Sequence, residues 1–121
     1  MNRTLAVLLF CVFFVTTAMA VRELVTIADP QPAKHVEGIV LDPSGAPISG
    51  MTVTDRNEEW GIILRSTTTD ENGRFRFSRV SGKTLYYIRF DHRLFNPLQL
   101  KLKLDKKAPE RGITVNAPIG G

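Results

Sequence analysis

Two histidines and two tyrosines are the side chains in this sequence best suited to holding a transition metal. Imidazole and phenolate donors bind such an ion only when they converge. Here His35 and His92 lie far apart in the chain, and Tyr86 and Tyr87 are neighbours that an extended backbone sends to opposite faces. His35 reads as an exposed residue at a strand start and His92 as a turn residue, so no metal site and no cofactor are expected. Nucleophilic chemistry has no better footing. Ser44, Ser49, Ser66, Ser78 and Ser81 have neither a nucleophile-elbow sequence nor a plausible base beside them, so no catalytic residue is expected. Asp42, Asp70, Glu71 and Asn72 supply the hard oxygen donors that calcium takes. In turns, however, Asp and Asn side chains usually bond their own backbone, and that is the reading adopted for them.

The stretch Asn57-Glu58-Glu59-Trp60-Gly61 carries the strongest signal for binding. An indole on a polar loop can stack on a sugar ring or anchor a protein partner, and it can equally fold over an open end of a core. The residues expected to make contact are Trp60, Glu58, Glu59 and Arg65, with a protein or a glycan as partner. Nucleic acid is not expected. The formal net charge is +4, but the basic residues are scattered, and Arg74-Phe75-Arg76-Phe77 alternates as the wet face of a strand does.

The elements that must position these residues begin after a leader. Arg3 gives a positive start, residues 5–15 are almost continuously apolar, and Ala18-Met19-Ala20 offers small residues where a signal peptidase reads them. Cleavage is expected after Ala20. The apolar run is short for a bilayer, which takes about 20 residues, so no membrane span is expected in the mature chain. Leu9 and Phe10 before Cys11 do not fit lipoprotein processing, and the single cysteine is expected to leave with the leader. Without disulfides, a small exported domain must be stabilised by its core alone.

Residues 21–34, with Pro30 and Pro32, read as an extended lead-in or a loose first edge strand. Beyond them, seven segments alternate with a period of two, separated by Gly, Pro, Asn and Asp. Asp42-Pro43-Ser44-Gly45 and Asp70-Glu71-Asn72-Gly73 are turns with a mechanism, an acid at the first position and a glycine free to take positive φ. Gly38 marks a place where a neighbour approaches closely. Phe75 and Phe77 form one apolar face, Tyr86, Ile88 and Phe90 another, and Leu98, Leu100, Leu102 and Leu104 a third against Lys101 and Lys103. The expected fold is all-β, a seven-stranded antiparallel sandwich with Greek-key connections.

The residues Gly38, Val40, Asp42, Gly45, Pro47, Ile48, Gly50 and Val53, followed by Thr69, Asp70, Asn72, Gly73, Phe75 and Phe77, resemble the carboxypeptidase regulatory-like domain. The resemblance implies a transthyretin-like, prealbumin-type sandwich over residues 35–117, with 118–121 as a tail. It also implies a non-enzymatic module of an exported bacterial protein, periplasmic or secreted, that mediates protein contact or envelope assembly. The alternative is a carbohydrate-binding module using Trp60 as a stacking platform with a ring such as Phe95. Chemistry known from similar folds lacks its residues here. The iron site of sandwich dioxygenases includes a closely spaced His-x-His pair, and the hydroxyisourate hydrolases end in a Tyr-Arg-Gly-Ser type tail, where this chain ends Ala117-Pro118-Ile119-Gly120-Gly121.

Overall fold

The computed structural model describes residues 24–118. The expected leader, its cleavage point, Cys11 and most of the tail lie outside the described residues. Nine strands occur among the described residues: β1 (Thr26–Ile27), β2 (Gln31–Ala33), β3 (Glu37–Leu41), β4 (Thr52–Arg56), β5 (Ile63–Thr68), β6 (Arg74–Arg76), β7 (Leu85–His92), β8 (Phe95–Leu104) and β9 (Ile113–Asn116). The seven expected strands are β3 to β9. The other two come from the lead-in, whose β1 and β2 lie in succession along β8 and bury Ala33.

The strands form two sheets, one ordered β1-β8-β7-β4-β5 with β2 also on β8, the other ordered β6-β3-β9. The wholly antiparallel expectation is corrected here, because β9 runs parallel to β3, and β1 and β2 run parallel to β8. Alternation says which face a side chain takes; it is silent on the direction of the neighbouring strand, which the longer crossing segments decide.

Facing rows close the core. Val53, Phe90 and Leu98 share one row across β4, β7 and β8, and Ile88 and Leu100 share the next. Val40, Phe75, Ile113 and Val115 face them from the smaller sheet, with the rings of Phe75 and Phe90 edge to face at 5.3 Å. Gly38 is the close approach that its sequence position announced: a Cβ there would lie 2.5 Å from the Ile113 carbonyl oxygen and 2.6 Å from its side chain. Gly38→Ala is therefore expected to push β9 away from β3 and to cost about 1–3 kcal/mol in a urea melt. An unchanged midpoint would contradict this packing.

The two Asp-led turns use one device. The Asp42 carboxylate accepts from the amides of Ser44 and Ala46 and from the Ser44 hydroxyl, while Asp70 accepts from the amides of Asn72 and Arg74. Gly45 and Gly73 take the positive φ that closes each turn. The Ser44 hydroxyl and then the Ala46 amide hold the Asp42 carboxyl below its ordinary range. A carboxyl so lowered stabilises the fold above the ordinary carboxylate range and loses that contribution as pH falls through it. Asp42→Ala is thus expected to lower the melting temperature at neutral pH, with the gap to the native chain narrowing in acid. A constant gap would show that the ionised form is not what the turn uses.

A candidate contact surface on the outer edge of the larger sheet

The loop between β4 and β5 folds on itself. Asn57 receives the Ile62 amide on its side-chain oxygen at 3.0 Å and donates its own amide to the Ile62 carbonyl, and the Trp60 amide bonds to the Asn57 carbonyl at 2.9 Å. Closing so short a loop puts Trp60 at φ 67°, an uncommon conformation for a residue with a side chain. The Arg56 guanidinium secures the turn, donating to the Trp60 carbonyl at 3.0 Å and to the Thr54 hydroxyl at 2.9 Å. Its result is the placement of the indole. Trp60 meets Tyr87 edge to face at 5.3 Å, and the Lys101 ammonium lies 5.6 Å from the centre of the Tyr87 ring. Tyr87 is on the outer side of β7, opposite buried Tyr86, so Trp60 sits on the sheet's outer surface rather than over an end of the core. Glu58 and Glu59 are exposed at the loop tip.

Arg65 goes elsewhere. Its Nε donates to Asp55 Oδ2 at 2.8 Å, its Nη1 to the Ser78 hydroxyl at 3.3 Å, and its guanidinium carbon stands 4.9 Å from the Phe77 ring centre. Asp55 is only 1% exposed on the inner face of β4, with the Lys83 ammonium 3.8 Å from its other oxygen. Asp55 Oδ1 and Arg65 Nη2 are buried without a hydrogen-bond partner among the described residues. Arg65 therefore links β5 to the segment after β6 across the gap between the sheets. The structure brings Trp60, Glu58 and Glu59 together on one loop and separates Arg65 from them.

Phe95 is separated too. It pairs in register with His92 and packs edge to face on its imidazole at 5.4 Å, whereas Trp60 lies on Tyr87, which pairs with Lys101 further along β8. The two rings thus belong to opposite ends of β7 and form no common platform. His92, expected in a turn, is instead the last residue of β7, its Nδ1 accepting the Leu94 amide at 3.1 Å, and His35 is exposed with Nε2 3.5 Å from Glu110.

What the sequence reading passed over is the run Ile62, Ile63 and Leu64, which are 60%, 54% and 53% exposed. Pairing between β4 and β5 shifts register beside Arg56, so alternation fails there and consecutive aliphatic side chains all reach solvent. Three successive aliphatic residues in a chain that otherwise alternates were the available signal. Only β4 pairs with β5 among the described residues, so its other edge is open.

No helix among the described residues is long and apolar enough to cross a membrane. No curated protein matches the chain. The carboxypeptidase regulatory-like domain family matches residues 35–117, from His35 in the bend before β3 through β9, and takes in both Asp-led turns and all of the buried core but Ala33. The chain belongs to the carboxypeptidase regulatory-like domain family.

Proposed function

We propose that the chain is an exported, non-catalytic module of prealbumin type that makes protein contacts in cell-envelope assembly. One observation carries this reading: an exposed aliphatic run lies on an open strand edge, beside a loop that holds a tryptophan on the surface. Monomeric surfaces seldom leave such a run unguarded, and edge strands usually carry charges or bulges against pairing. The leader and Ala18-Met19-Ala20 support export, and the intact mass of the exported protein is expected to lack residues 1–20. The contact is tested by placing a photo-crosslinking residue at Ile63 in the exporting cell, with exposed Thr114 of β9 as the comparison. Adducts at 63 and none at 114 support the reading; equal yields, or none at either, overturn it.

The fixing of the Trp60 indole against Tyr87 favours a second reading, stacking on a sugar. Saturable heat of binding on titration with glycans, lost in Trp60→Ala, would transfer the function to carbohydrate recognition.

A further inference from the structure

We propose that the cleft between the Trp60 loop and β7 seats a neutral, polyhydroxylated glycan, its hydroxyls bonded to the Glu58 carboxylate and the Arg56 guanidinium and its ring lying on Tyr87. This rests on the sugar reading above and names the class of sugar and the side chains that hold it.

Arg56, Asn57, Glu58, Lys83, Leu85 and Tyr87 line a cleft of about 390 Å³, within the range of small-ligand sites. Arg56 lies opposite Tyr87 in the pairing of β4 with β7, so the cation and the ring are neighbours on the outer face. The loop that supplies the polar residues is held in an uncommon shape. Trp60 keeps φ 67° while its indole stands edge to face on Tyr87, and backbone strain of this kind gathers at ligand sites.

The charged side chains of the lining do not pair with one another. Lys83 leans on buried Asp55 at 3.8 Å. Arg56 donates to the Thr54 hydroxyl and the Trp60 carbonyl, both neutral, and Glu58 has no ion pair among the described residues. A carboxylate or phosphate in the cleft therefore meets Glu58, and an ammonium group meets Arg56, so a ligand with charge of one sign is repelled at one of them. A hydroxyl answers both. It donates to the carboxylate and accepts from the guanidinium, and hydrogen bonds to charged groups are the stronger ones. Neighbouring hydroxyls on a sugar ring present these two roles together, while the C–H face of the ring suits Tyr87 and exposed Leu85.

Isothermal titration of the exported, purified chain with cellohexaose, maltohexaose and chitohexaose, and with hexagalacturonate as the acidic counterpart, tests the proposal. Saturable binding of at least one neutral hexamer is expected, about tenfold tighter than that of hexagalacturonate. Glu58→Gln keeps the shape of an exposed side chain and removes its charge. It is expected to weaken the neutral sugar about tenfold, to narrow the preference over hexagalacturonate and to leave the melting temperature unchanged. No binding of any neutral hexamer, equal binding of hexagalacturonate, or a Glu58→Gln variant that binds as the native chain does overturns the proposal. If a glycan binds and is lost in Trp60→Ala while Glu58→Gln has no effect, this seat fails and the sugar reading stands. If no glycan binds, both fail, and crosslinking at Ile63 still decides the contact reading.

Discussion

Arg65→Ala is expected to cost about 3–5 kcal/mol, because it leaves the Asp55 carboxylate buried with only the Lys83 ammonium at 3.8 Å to answer it. Lys83 and the partial exposure of the Arg65 side chain favour the lower end of that range. The loss measured is not the worth of the bridge; most of it is the cost of an uncompensated charge between two sheets. The double change Asp55→Leu with Arg65→Met removes both charges and keeps the volume, and it is expected to fall within about 1 kcal/mol of the native chain. Urea melts of the single and double variants decide the matter. A single variant as stable as the native chain would show that Asp55 reaches solvent.

Phe75→Ala is expected to cost about 3–5 kcal/mol by the same measurement. The ring is buried, meets Phe90 at 5.3 Å, and stands beside Gly38, where no side chain can move in to fill the space. That loss is a large share of the stability of a domain this size. Exposed Leu85→Ala should change stability little, and a comparable loss there would mean that the core is misplaced.

The core was legible in the sequence because strand alternation acts residue by residue. Tyr86, Ile88 and Phe90 are buried together, as are Leu98, Leu100 and Leu102, and the turns at Gly45 and Gly73 close through the acids their sequences supplied. The parts that were not legible depend on partners distant in the chain. The parallel pairing of β9 with β3 is a fact about a crossing segment, and no local pattern encodes it. Arg65 looked like a surface cation because the polar run from Ser66 to Thr69 follows it; only Asp55 on the neighbouring strand and Phe77 across the gap turn it inward. The exposed run was hidden for the opposite reason. Ile62, Ile63 and Leu64 are apolar, and an apolar residue is read as core until a register shift shows otherwise.

These features meet in one strand. By turning its only charge toward Asp55, β5 is tied to the rest of the sandwich and its outer edge is left without a charge that would oppose a neighbour. Trp60 and the two glutamates flank that edge, and the aliphatic run lies along it.

Amide hydrogen exchange in dilute solution tests most directly whether β5 is bonded on one side and open on the other. The amides of Arg65 and Thr67, facing β4, should exchange slowly, while those of Ser66 and Thr68 exchange on the timescale of exposed loops. Uniform protection along β5, or uniform loss of it, would contradict the open edge on which the contact function depends.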